Sequence, residues 1–181
     1  MQKTVLTYGI ISGLIVVALW HATRPLWMED GQIDMSTSMI YGYINMIVAL
    51  SMVFMGIKQY RDRYGDGKIT FGKGLKIGLL ITVIAAAFYV AGWMIYYETG
   101  DVAETFADHY ISGVKAGWEQ KGMAQADIDA KVEKLQDQME AYNNNFLMRI
   151  AFTFMEIFPV GLIISLISAF ILKRRVSPGI S

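Results

Sequence analysis

Residues Ile77–Tyr97 read IGLLITVIAAAFYVAGWMIYY, twenty-one residues without a charge or a proline. A bilayer's hydrocarbon core of about 30 Å takes roughly 20 apolar residues as a helix, so this stretch is a membrane span. Working outward from it, three more segments meet the same criterion. Thr4 to about Trp20 and Met39 to Ile57 are uncharged, and Phe146 to Leu172 is longer and carries Arg149, Glu156 and Pro159. The sequence therefore predicts an all-α integral membrane protein. It would be a four-helix transmembrane bundle forming one membrane domain over residues 1–181, with spans at about 4–20, 39–57, 77–97 and 146–172. Trp20, Trp27, Tyr41, Tyr43, Trp93, Tyr96 and Tyr97 crowd the span ends, where amphipathic rings meet headgroups.

Composition agrees. Of 181 residues 54% are hydrophobic and 18% charged, against about a quarter charged in soluble chains, and the mean hydropathy is +0.37. Four buried core helices of a soluble protein would leave too little polar sequence to cover them. Lys3 and the small residues Val16-Val17-Ala18 also fit a cleavable signal segment. The apolar run continues past Ala18, however, and reads as a retained helix. Sixteen basic and sixteen acidic residues argue against a nucleic-acid partner, which calls for a basic excess. With no cysteine, disulfides, thiolate metal sites and cysteine nucleophiles are excluded.

Threading follows from the basic residues. Lys58, Arg61, Arg63, Lys68, Lys73 and Lys76 lie between spans two and three, Lys3 precedes span one, and Lys173, Arg174 and Arg175 follow span four. Basic flanks stay in the cytoplasm, which predicts cytoplasmic termini and a periplasmic 98–145 segment in a bacterial inner membrane. That segment is expected to be a helical hairpin. Val102, Phe106, Tyr110, Val114 and Trp118 recur every four residues from Asp101, a candidate N-cap, to Gly122. Ile128, Val132, Leu135, Met139 and Tyr142 then step by four and three. The second stripe, with Val132 and Leu135 at its centre, is a candidate partner contact. Asp62–Lys73 is not a calcium loop, because Tyr64 and Lys73 stand where an oxygen ligand and a bidentate Glu are needed.

Spans are held together by close backbone approach and interhelical hydrogen bonds rather than by escape from water. Small residues at four-residue spacing supply the approach: Gly9 and Gly13; Gly74, Gly78, Thr82 and Ala86; Gly161, Ser165 and Ala169. Arg149, Thr153 and Glu156 fall at i, i+4 and i+7 on one face of span four. Glu156 lies about 15 Å into the helix, near mid-bilayer, where a charge costs at least ~2.5–3.5 kcal/mol. It must be protonated, paired or turned to a polar partner. Asn45 is a candidate partner, and Arg149 is placed to snorkel toward the interface. Pro159 removes the hydrogen bond to the Met155 carbonyl.

No catalytic motif occurs: there is no His-Glu-x-x-His, no Gly-x-Ser-x-Gly and no phosphate loop. The two histidines, His21 and His109, make no ligand set. Asp101, Glu104 and Asp108 beside His109 read as a solvated helix face. No cofactor and no metal are expected.

Gly56-Ile57-Lys58-Gln59-Tyr60-Arg61-Asp62, then Ile69-Thr70-Phe71-Gly72-Lys73-Gly74-Leu75-Lys76-Ile77-Gly78-Leu79, resembles a bacterial membrane family catalogued as domain of unknown function 4199. Gln120-Lys121-Gly122-Met123 and Leu172-Lys173-Arg174-Arg175 look like that family too, so the resemblance covers roughly residues 4–175. It implies a four-span inner-membrane protein and brings no activity and no catalytic residue. The expectation is a non-enzymatic small subunit or scaffold in the lipid bilayer that contacts another membrane protein or a second copy. The alternative is a small transporter or ion-linked channel using Glu156 and Arg149.

Overall fold

The computed structural model describes residues 1–26, 28–29, 32–33, 35–99 and 102–174. Six helices make up nearly all of it: α1 Gln2–Thr23, α2 Met35–Tyr64, α3 Phe71–Glu98, α4 Val102–Gln120, α5 Gln125–Asn144 and α6 Phe146–Leu172. Two two-residue strands, β1 Met28–Glu29 and β2 Gln32–Ile33, pair antiparallel between α1 and α2. Trp27, Asp30, Asp34, Asp101 and Arg175, and the side chain of Glu104, lie outside the described residues. The fold is an all-α helical bundle in which α1, α2, α3 and α6 are long and apolar enough to cross a membrane.

The helices outrun the apolar stretches. α2 continues seven residues past Ile57 through Lys58, Arg61 and Arg63, and α3 begins at Phe71, six before Ile77. Polar residues cost a helix nothing outside a hydrocarbon layer, so α2 and α3 continue as helix beyond their apolar stretches. Thr70 starts α3, its hydroxyl accepting from the Lys73 N–H at 3.3 Å. Between α2 and α3 the chain turns at Asp66 and Gly67, both at positive φ, and the Gly67 N–H reaches back to the Arg61 carbonyl. Asn145 starts α6, its side chain accepting from the Met148 N–H. α6 then runs through Pro159 to Leu172.

α3 is the hub. It packs most extensively on α6 and then on α1, while α2 contacts α1, α6 and α3. The registers are set by small residues. On the α1 side, Gly9 faces Ile84, Gly13 faces Phe88, and Gly92 receives Val17. The common offset of seventy-five residues means that α1 and α3 run parallel. On the α6 side, Gly74 meets Ala169, Gly78 meets Ser165, and Gly161 meets Thr82. These pairs share one residue-number sum, so the two helices run antiparallel.

Hydrogen bonds reinforce the seams. Ser12 donates to the Ala49 carbonyl at 2.7 Å, and Thr82 and Ser165 share a bond of 3.3 Å. Leu50, Val53, Ile57, Ile77, Ile81, Ala85, Ala86 and Ile157 are fully buried at the centre, which is packed with side chains rather than open.

The basic end of the bundle gathers the start of α1, the α2–α3 turn and the end of α6, where the Arg174 N–H donates to the Ile69 carbonyl. The opposite end carries the α4–α5 hairpin. Gly122, at φ +71, ends α4: its N–H reaches the Glu119 carbonyl and the Met123 N–H reaches that of Trp118. This is the left-handed cap that favours glycine. The α5 stripe faces the protein. Ile128 and Tyr142 are buried, Val132, Leu135 and Met139 half-buried, and α5 packs on α4 and α6. Val132 and Leu135 are half-covered on a helix that packs on α4 and α6, which leaves part of each side chain open at the surface.

Candidate functional site

The polar face of α6 climbs toward the hairpin. Arg149 is 7% exposed and lies one turn into α6, where α3 ends and α5 hands over to α6. Its Nη2 donates to Glu98 Oε1 at 2.7 Å, and its Nη1 to the carbonyls of Asn143 at 2.6 Å and Tyr142 at 3.2 Å. The guanidinium also sits over the Tyr97 ring, 4.9 Å from its centroid, a cation–π contact. Arg149 is thus a clamp joining α3, α5 and α6. It points toward the interface, not toward Glu156.

Around the clamp is an aromatic cluster. The indole N–H of Trp93 donates to the Tyr142 hydroxyl at 2.6 Å, and the Tyr97 hydroxyl to Asn143 Oδ1 at 2.5 Å. Phe106 of α4 meets Trp93, Tyr97, Tyr110 and Tyr142, with ring centroids 5.2–6.0 Å apart. Burial pushes the Tyr142 phenol up to about 12, with the Glu156 charge adding to it and hydrogen bonds to Trp93 and Thr153 opposing it. Tyr110 is also raised, first by burial and then by Glu156. The inner face of the hairpin is therefore within electrostatic reach of the mid-span carboxyl.

One turn below Arg149, Thr153 returns its hydroxyl to the Arg149 carbonyl. Glu156 follows. Its Oε2 accepts from the Tyr89 hydroxyl of α3 at 3.1 Å, and the residue itself is exposed on the perimeter of the bundle. Asn45 is not its partner: the Asn45 amide donates to Thr23 Oγ1 at 2.8 Å, tying α2 to the end of α1. Pairing from sequence supplied only the acceptor; the register of α3 against α6 brings Tyr89, not α2, to it. Glu98 and Tyr89 are the residues that a reading of the spans alone passes over. Tyr89 left a signal as a hydroxyl in an otherwise apolar run. Glu98 left one as an acid at the end of one span, facing an arginine at the start of the next.

His21 is exposed, its ring edge-on to Trp20, and His109 is half-buried on α4. Among the described residues no group of three or more His, Asp or Glu is gathered to hold an ion.

Four long apolar helices, tied by small-residue seams, define a multi-pass helical membrane protein. The chain belongs to the family described as protein of unknown function (DUF4199), whose model matches residues 7–174. No curated protein and no solved structure matches it.

Proposed function

We propose that the chain is a non-enzymatic subunit of a bacterial inner membrane whose Glu156–Tyr89 edge docks a polar side chain of another membrane-embedded helix, from a different protein or a second copy. The observation that carries this reading is the exposure of Glu156 about 15 Å along α6, with a single hydrogen bond from Tyr89. A carboxyl at that depth is either protonated or met by a donor. In both states it presents a hydrogen-bonding group to the surroundings that lipid tails leave unanswered. A filled bundle centre supports docking at the perimeter over conduction through the chain.

The threading that goes with this reading puts both termini and the 58–76 stretch in the cytoplasm and 98–145 in the periplasm. Ten of the sixteen basic residues at the first end support it.

The test is purification of the full chain in mild detergent, with identification of whatever co-elutes, for wild type, Glu156→Gln and Glu156→Leu. Glu156→Gln keeps an acceptor for Tyr89 and is expected to retain the partner, whereas Glu156→Leu loses it. Full recovery with Glu156→Leu overturns docking at this edge. An unchanged complex together with loss of proton-coupled flux in Glu156→Gln vesicles replaces docking with transport.

A further inference from the structure

At the basic end, away from the Glu156 edge, Tyr8 of α1 and Met55, Lys58, Gln59, Asp62 and Arg63 of α2 line an open groove of about 510 Å³. The five α2 residues fall at i, i+3, i+4, i+7 and i+8, one face of one helix. Gly56 lets Ile81 of α3 and Tyr8 of α1 close on α2, since a Cβ there would overlap the Ile81 side chain and stand 3.2 Å from the Tyr8 Cβ and Cγ. That contact fixes one wall of the groove.

The groove is graded along its length. Its lower part is apolar: Met55 is 44% exposed, and the same face continues down through Met52 to Val48, 48% exposed. Its upper part is cationic. Asp62 is already paired, accepting from Arg61 Nε at 2.6 Å, while Lys58 and Arg63 are exposed and have no ion-pair partner among the described residues. The wall carries Lys58 and Arg63 against one carboxylate, Asp62, which Arg61 pairs and Lys58 also attracts, so the groove keeps a net positive charge, with Gln59 and Tyr8 lining it too. From Met55 to Arg63 is about 12 Å at 1.5 Å per residue, enough to reach from the hydrocarbon edge across a headgroup layer of about 5–8 Å.

We propose that this groove is a binding site for an anionic phospholipid, its phosphate held by Lys58 and Arg63 and its upper acyl segment laid along Met55. A free anion would answer the two cations but leave the apolar half of the groove without a purpose; a lipid answers both.

Native mass spectrometry of the full chain in neutral detergent, with added phosphatidylglycerol or phosphatidylcholine, tests the site. One phosphatidylglycerol is expected to be retained in preference to phosphatidylcholine. Lys58→Gln with Arg63→Gln is expected to lower its retention about thirtyfold, as loss of two near-surface charges implies. Lys68→Gln with Lys76→Gln removes the same charge at the same end outside the groove and is expected to leave retention unchanged. Gln59→Trp fills the groove without altering charge and is expected to abolish the preference. Equal losses in both charge pairs would mean diffuse attraction and overturn the site, as would retention in Gln59→Trp. Displacement of the lipid by millimolar inorganic phosphate would assign the cations to a free anion and overturn the lipid assignment. Circular dichroism melts confirm that each variant is folded.

Discussion

Arg149 gains its hold from three elements at once, and the two ends of its ion pair are unequal. Its own side chain is 9% exposed while that of Glu98 is 56% exposed. Arg149→Leu strands the Tyr142 and Asn143 carbonyls and frees the hairpin, and is expected to cost ~2–4 kcal/mol. Glu98→Gln leaves a wet partner replaceable by water and is expected to cost less than ~1 kcal/mol. Thermal unfolding in detergent, followed by helical ellipticity, measures both; equal costs would show that Arg149 anchors nothing beyond Glu98. Tyr142 gives a pH signature at the same site. Its phenol is raised from the ordinary value of 10.0 to about 12, so the folded state holds its proton longer than the unfolded chain does. That contribution is complete below pH 10 and is lost as pH climbs through 12. Tyrosinate absorbance is expected to lose one late-titrating phenol in Tyr142→Phe relative to wild type, and hairpin docking is expected to loosen over the same window. Helical periodicity, a local property, was enough to put Arg149, Thr153 and Glu156 on one face. Their partners Glu98 and Tyr89 come from another helix, and only its register selects them.

At the scale of elements, the α3–α6 seam is the tightest. A Cβ on Gly161 would overlap the Thr82 side chain, whereas one on Gly42 meets nothing within 4 Å. Gly161→Ala is therefore expected to destabilise by ~1–3 kcal/mol, while Gly42→Ala is neutral or stabilising by up to ~1 kcal/mol; unfolding midpoints of the two variants decide it. Four-residue spacing of small side chains revealed this seam in the sequence because it is a repeat within one helix. The pairing of Gly74 with Ala169, of Gly78 with Ser165 and of Thr82 with Gly161 is a relation between helices and needed the structure. The hairpin shows the same division. Its two stripes were legible, but periodicity is silent on what a stripe faces, and in the structure α5 packs on both α4 and α6 with Val132 and Leu135 half-covered. Val132→Asp is accordingly expected to open the hairpin, raising protease cleavage within 102–144, because an unpaired carboxylate would enter its half-buried seam. An unchanged digestion pattern would put that stripe on an outer surface after all.

For the molecule as a whole, helix length and charge work together. α2 and α3 have 30 and 28 residues, about 45 and 42 Å at 1.5 Å per residue, which matches a bilayer with its headgroups at about 40–45 Å. Hydropathy marks the apolar part of a helix rather than its ends, so α2 runs seven residues past Ile57 and α3 begins six before Ile77, while α6 starts and stops at Phe146 and Leu172 as expected; the number and order of the long apolar helices are as the sequence predicts. Those polar extensions form the basic end, where the α2–α3 turn and the end of α6 are bridged through Ile69 and Arg174. The hairpin closes the other end, and one bundle thickness separates the two. Because the chain has no cysteine, Lys68→Cys and Lys121→Cys each introduce a unique thiol, one in the α2–α3 turn and one at the α4–α5 turn. In intact cells a membrane-impermeant maleimide is expected to label position 121 and not position 68, with both labelled after the inner membrane is opened. Labelling at 68 alone would invert the threading and leave the bundle intact. Labelling of both in sealed cells would place the two turns in one compartment, which an odd number of crossings between them forbids, and the reading of α3 as a membrane span would fall.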